Sequence, residues 1–271
     1  MSAKLIQLGR PDGCQMMGYV IKDDDGKIAV IDGGTRDDAA HLLDVLKKYG
    51  GDHPHIDAWF LTHAHHDHIG AFLELNEKMS GSFSTDGFYY NFPSVQFCRR
   101  LEPHEAHTAE EFYALLPAVA RNAHIVSPRD EFLFGGMSID VLFCDTTVVS
   151  RFGINETSAV YRLKTGCSTV LFLGDLGEEG GRRLLHSCRT GLRSDICQMA
   201  HHGQNGVGRE VYEEIAPRVC LWPTPEWLWN NDAGLGYNTH TWKTVEVRGW
   251  MDGLGVSRNI VAKDGDICIT I

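Results

Sequence analysis

The sequence predicts an α/β fold built from two stacked β-rich halves covered by helices. Three observations carry that expectation. Strands, a helix and a further strand fill the first sixty residues; a polar loop and a helix follow; and from about residue 124 a second β-rich run with helices begins. At 271 residues the chain can bury about three quarters of its unfolded surface. No Pro-, Ser- or charge-rich linker divides it, so a single domain over 1–271 is the simplest organisation.

Residues 4–8, 17–22 and 27–31 read as strands, the last two joined by Asp23-Asp24-Asp25-Gly26, an acidic turn closed by glycine. Asp32-Gly33-Gly34 breaks the third strand. The helix that follows has Leu42, Leu43, Val45 and Leu46 on its apolar side and Gly50-Gly51 at its end. Residues 56–61 are an apolar run that reads as a buried strand, and a helix is expected over 71–79. Residues 80–124 read as an insertion on the rim of the site, with a capping-box pattern at Thr108-Ala109-Glu110-Glu111 opening a helix to about 121. Its Tyr89, Tyr90, Phe92 and Phe97 would either line an apolar wall or pack as core. The second run has strands at 124–127, 131–134, 138–144, 158–164 and 168–173, the last two as a hairpin ended by Gly174-Asp175. A helix over 178–187 and a strand over 195–200 lead to His201-His202-Gly203. Helices at 209–216 and 242–251 and strands at 218–222, 259–262 and 266–270 complete the chain, with Trp-rich sequence at 223–229.

The chemistry is concentrated in Thr62-His63-Ala64-His65-His66-Asp67-His68, directly after the buried strand. Neutral imidazoles and a carboxylate are ligands for zinc, or for iron and manganese. On a strand end His63 and His65 point to one side, while a following turn can carry Asp67 and His68 to a second point nearby. One short loop can therefore serve one or two metals.

Charge and cysteines narrow the classes. A formal net charge of -11 disfavours extended nucleic acid as a partner and favours a small-molecule substrate. The eight cysteines include no C-x-x-C pair, so reduced thiols and a cytoplasmic location are expected. No window approaches the roughly 20 apolar residues of a membrane span.

His63-x-His65-x-Asp67-His68 resembles the signature of the metallo-β-lactamase superfamily. That resemblance implies a four-layer αβ/βα sandwich with the metal site along one edge, and a hydrolase that uses metal-activated water. It extends to Asp32, matching an aspartate that orients the histidines from behind; to Asp175, matching the carboxylate that bridges two metals; and to His201-His202, of which His202 would be the ligand and His201 would stand beside the substrate or behind the ligands. It implies one set of His63, His65 and Asp175 and a tighter one of Asp67, His68, Asp175 and His202. Where a third-motif histidine is usual, this chain has Gly153-Ile154-Asn155-Glu156-Thr157-Ser158. Asn155, water or a rim histidine such as His104 or His107 would complete that set. The Asn-x-x-Ser pattern looks like the branch containing the hydrolase domain of competence DNA-uptake proteins; the double histidine is also similar to phosphorylcholine esterases. In the first branch a histidine often follows glycine-rich sequence near the C-terminus, and His240 is its counterpart here.

Asp67, His201 and His240 are thus the candidate catalytic groups, with His201 or His240 protonating the leaving group. The reading is a hydrolase acting on a phosphodiester or a related small ester. The alternatives are a catalytically weakened metal-binding protein and a di-iron redox protein of the same fold.

Overall fold

The computed structural model describes residues 2–10, 13–147 and 153–271. The first half of the chain runs β1 (Ala3–Gln7), β2 (Gly18–Asp23), β3 (Ile28–Asp32), α1 (Ala39–Gly50), β4 (His55–Ile56), β5 (Ala58–Phe60), α2 (His66–Lys78), β6 (Ser84–Thr85), β7 (Phe88–Tyr90), α3 (Val95–Leu101), α4 (Ala106–Val119) and β8 (Ala123–Ile125). The second runs β9 (Glu131–Phe134), β10 (Met137–Phe143), β11 (Val160–Lys164), β12 (Thr169–Phe172), α5 (Glu178–Cys188), β13 (Ile196–Gln198), α6 (Arg209–Ile215), β14 (Val219–Trp222), α7 (Glu226–Trp229), α8 (Thr244–Gly253), β15 (Arg258–Val261) and β16 (Ile267–Thr270). One seven-stranded sheet has the order β16-β1-β2-β3-β5-β7-β8 and the other β15-β14-β13-β12-β11-β10-β9.

The strands are apolar on both faces because each sheet is covered twice. In β2, Tyr19 and Ile21 face the core between the sheets while Val20 faces α1 and α2; in β5, Ala58 and Phe60 point inward and Trp59 outward. The same alternation in the second sheet sends Val170 and Phe172 inward and Leu171 toward the core under α5, α6 and α8. Three cores between four layers make an αβ/βα sandwich, as the sequence predicts. Phe60 lies at the centre, stacked on Tyr89 at 4.7 Å and edge-on to Tyr161 at 5.2 Å. Its full burial contributes about 1.5–3 kcal/mol.

Several local expectations change. The strand at 123–125 does not open the second sheet but pairs with β7 in the first, and the C-terminal β16 crosses back to pair with β1. The segment 80–124 supplies β7 and β8 to the first sheet and α4 to its helical cover, where α4's Phe112 meets Phe72 of α2. Tyr90 and Phe92 are therefore buried core. Helix α4 begins at Ala106, ahead of the expected cap, so Thr108 lies inside it. The helix expected from 71 begins at His66, which puts Asp67 and His68 in its first turn, where the helix dipole favours a carboxylate.

Parallel strands β3 and β5 in one sheet and β12, β13 and β14 in the other end along the same edge. At or just beyond those C-terminal ends are Asp32 (the last residue of β3), the His63 loop, Asp175, His202 and Pro223. In parallel sheets this is where ligand crevices form. Backbone bonds tie the two halves together there: Ala159 N–H donates to Thr62 O at 2.9 Å, and Tyr161 Oη donates to Leu61 O at 2.9 Å.

Candidate metal centre

The geometry starts with Asp32. It is fully buried, in the left-handed region (φ 52°), and its carboxylate accepts from Thr62 N–H at 2.7 Å, Thr62 Oγ1 at 2.7 Å and His68 Nδ1 at 2.7 Å. A carboxylate can only accept here, so His68 carries its proton on Nδ1 and turns Nε2 into the cleft. His202 is fixed the same way: its Nδ1 donates to Pro223 O at 2.7 Å. The two Nε2 atoms meet at 3.2 Å.

Around them stand Asp67 Oδ2, 3.2 Å from His202 Nε2, and Asp175, with Oδ1 3.2 Å from His68 Nε2 and Oδ2 3.4 Å from His202 Nε2. Gln15 Nε2 donates to Asp67 Oδ2 at 3.0 Å and holds it in place. His63 Nε2 lies 4.0 Å from Asp175 Oδ2. Two sets of potential ligands therefore converge, His63-His68-Asp175 and Asp67-His68-His202, all buried.

His201 and His202 are not on extended backbone. Both have positive φ, 51° and 54°, within a tight turn over Ala200–Gly203. Such conformations cost about 1–3 kcal/mol each and persist where the surroundings enforce them. Here Gly203, itself at φ 78°, lies so close to the Trp222 ring that a Cβ would stand 2.4 Å from it. The turn lets both imidazoles approach Asp175: His201 Nε2 is 3.8 Å from Asp175 Oδ2, although His202 alone is fully buried. Asp175 follows Gly174 (φ 56°), where a Cβ would crowd Ser158 Oγ at 2.9 Å; that hydroxyl accepts from Asp175 N–H at 3.1 Å.

The electrostatics favour cations. Burial raises the carboxyls of Asp67 and Asp175, but the facing His68 and His202 imidazoles outweigh it and hold both well below the usual carboxylate range. Burial pushes His63 well below its ordinary value, so it is neutral at pH 7 and able to coordinate. For His202, burial is outweighed by Asp175 and Asp67, and the imidazole is pushed up to about 9; His68 is also held well above its ordinary value. A metal entering the cluster must displace these protons. Binding should therefore release protons at pH 7.5, and affinity should rise about tenfold per pH unit for each proton displaced, up to about pH 9 for His202. Calorimetric titration in buffers of different ionisation enthalpy reads this directly. Without metal, the stabilising effect of protonated His202 is complete below about 6.5 and lost as pH rises through about 9.

The donor set fits a metal on a specific observation. His63 Nε2 and Asp175 Oδ1 are buried without a hydrogen-bond partner, although Asp175 Oδ1 is only 3.2 Å from His68 Nε2. Buried polar atoms seldom go unsatisfied. Atoms close together yet not bonded to one another are placed as ligands of a common ion would be.

The remaining expected residues are less central. His65 Nε2 faces Glu102 Oε2 at 3.2 Å instead of joining the cluster. Asn155 lines the cleft, its Nδ2 3.5 Å from His201 Nε2 and its buried Oδ1 without a partner. The rim histidines His104 and His107 are exposed. His240 is exposed too and stacks on Trp242 at 3.6 Å; it is Trp242 that lines the cleft, a space of about 370 Å³ bounded also by Gln15, Glu102, Glu105 and Gln204. Of these, Gln15, Glu102 and Trp242 carry no sequence signal that separates them from any other glutamine, glutamate or tryptophan.

The family model for the metallo-beta-lactamase superfamily matches residues 12–78, which contain Asp32 and the whole metal loop. Among solved structures the chain is similar to the metallo-beta-lactamase fold protein YhfI from Bacillus subtilis, at 14% identity over 98% of this chain and 99% of that one, with a TM-score of 0.57. It is similar to a diphosphatase from the PhnP family (15% identity, 100% and 98% coverage, TM-score 0.51) and to CmlA, a diiron β-hydroxylase from Streptomyces venezuelae (12% identity, 99% and 54% coverage, TM-score 0.58). No curated protein matches the sequence. The chain has the metallo-β-lactamase fold. The family match points to the metallo-β-lactamase superfamily over residues 12–78, and the structural likenesses show the fold. Among the described residues, no helix is long and apolar enough to cross a membrane.

Proposed function

We propose that this protein is a metal-dependent hydrolase of a phosphodiester or related small ester. The observation that carries the reading is the convergence of Asp67, His68, Asp175 and His202, with separations of 3.2–3.4 Å and both histidine Nδ1 atoms tied back by protein acceptors. These four residues would hold one ion; His63, with Asp175 shared, would hold a second once His65 turns from Glu102 to join them. Zinc is the first candidate, with manganese or iron as substitutes. When bound, such an ion supplies Lewis acidity that makes water nucleophilic at neutral pH and polarises the ester oxygen.

The chain's own residues do the rest. Asp67 is kept ionised by its imidazole neighbours and held in place by Gln15. His201 Nδ1 lies 3.3 Å from Asn205 O, which can only accept, so the proton sits there and Nε2 is turned toward Asn155 and Asp175. At that position His201 can take a proton from attacking water and return it to the leaving oxygen. His240, beyond Trp242, reaches a leaving group only when substrate spans the Trp242 side of the cleft. A small substrate suits the cleft's volume, and the Asn155-x-x-Ser158 resemblance to the competence-protein branch favours a phosphodiester. Reduced thiols support a cytoplasmic setting.

The test is hydrolysis of bis(p-nitrophenyl) phosphate before and after chelation. Turnover that disappears with the metal and returns on adding zinc or manganese supports the proposal. Turnover indifferent to chelation refutes it, and iron with peroxide turnover in place of hydrolysis moves the protein to redox chemistry.

A further inference from the structure

A second space opens beside the cleft. It holds about 360 Å³ and shares Asn155, Asp175, His201 and Asn205 with the space bounded by Trp242. The two spaces therefore meet at residues assigned above to the ion and to proton transfer. Asn205 joins them: its carbonyl holds His201 Nδ1 at 3.3 Å, and its Oδ1 accepts at 3.2 Å from the N–H of Lys243, which bounds the second space.

Their linings differ in chemistry. On the first side Trp242 is backed by Trp227 at 4.9 Å, whose Nε1–H donates to Gly13 O at 2.6 Å. A flat ring stacks on such an anchored aromatic. Among the described residues, the second space is lined only by polar and charged side chains and Gly177. Glu156 fixes its wall: the carboxylate accepts from Gly180 N–H at 2.6 Å and Glu179 N–H at 3.3 Å, clamping the first turn of α5 to the residue after Asn155. Lys243 pairs with Glu178 at 2.9 Å and Arg182 with Glu179 at 2.6 Å. These pairs are largely exposed, and exposed pairs are weak enough to exchange with a polar ligand.

An in-line displacement sends the leaving oxygen away from the attacking one, while the retained alcohol projects sideways from phosphorus. Two spaces meeting at the reacting centre suit two different alcohols. We propose that the substrate is an asymmetric diester: a flat leaving alcohol stacks on Trp242, and a hydroxyl-bearing retained alcohol occupies the space bounded by Glu178, Arg182 and Lys243. The water oxygen bonds to phosphorus as the bond to the flat alcohol breaks. The proton lost by water passes through His201 to that alcohol, and the polar alcohol stays on the monoester product. The inference rests on the hydrolase reading above and goes beyond it by naming both alcohols and the residues that select between them.

Glyceryl and butyl p-nitrophenyl phosphate share a leaving group and differ in the polarity of a retained alcohol of similar size. Zinc- or manganese-loaded wild type is expected to prefer the glyceryl ester at least about tenfold in kcat/KM, after subtraction of the uncatalysed rate. That preference should fall to within about threefold of unity in Arg182→Ala/Lys243→Ala or in Glu178→Trp, which fills the same space. A ratio measured within one preparation is unaffected by folded fraction or metal content, so a merely structural role would leave it unchanged. Trp242→Ala should raise KM for both esters about tenfold; an unchanged KM overturns the placement of the leaving alcohol. A wild-type ratio near one, or a ratio unchanged in both lobe variants, overturns the inference, while turnover of bis(p-nitrophenyl) phosphate keeps the hydrolase proposal. No metal-dependent hydrolysis of any of the three esters overturns both.

Discussion

Replacing His68 by alanine is expected to lower phosphodiester hydrolysis roughly a thousandfold, equivalent to about 4 kcal/mol of transition-state stabilisation. His68 is fully buried, and its Nε2 is within 3.2 Å of both Asp175 Oδ1 and His202 Nε2. It belongs to both convergent ligand sets. Its removal therefore disturbs both of these sets, and metal content should fall with activity. Asp67→Asn, on the other side of the cluster, should lower activity in the same direction with less loss of packing. An inactive His68→Ala with unchanged metal content would show that His68 supports the fold and not the ion. Activity within about tenfold of wild type would remove the cluster from the mechanism altogether.

The largest effect on stability is expected at Asp32. Asp32→Ala strands three buried donors, Thr62 N–H, Thr62 Oγ1–H and His68 Nδ1–H, each now 2.7 Å from a carboxylate oxygen. The cost should be about 3–5 kcal/mol, lowering the melting temperature by roughly 10 °C. Asp32→Asn is the more informative partner, because asparagine tolerates the φ of 52° and keeps the shape. It should melt closer to wild type. Its amide cannot accept from all three donors, so the His68 tautomer is no longer enforced and metal affinity should fall about 10- to 100-fold. A melting temperature unchanged in Asp32→Ala would contradict the hydrogen-bond account. Unchanged affinity in Asp32→Asn would contradict the tautomer argument.

These residues also show what the sequence makes legible. His63, His65, Asp67 and His68 fall within six residues, so their chemistry is visible as a string. Asp32, Asp175 and His202 are visible because each follows a strand and adjoins a glycine, and parallel strands deliver their C-terminal ends to one edge. Strand partnership is less legible: β8 and β16 join the first sheet through contacts with no local signal. The start of α2 was hidden by its function, since a His-Asp-His turn has poor intrinsic helix propensity and is held by tertiary contacts such as Gly34 N–H to His68 O at 3.2 Å. The left-handed pair His201-His202 runs against the rule that bulky residues avoid positive φ, and Glu102 is one of 36 acidic residues.

Metal content of the wild-type protein, purified without chelator and measured by elemental analysis, tests the central claim most directly. The cluster predicts between one and two equivalents of zinc, manganese or iron, removed by chelation and lost in His68→Ala. Protein that is folded by its melting curve, carries no such metal and fails to take it up on dialysis would contradict the account.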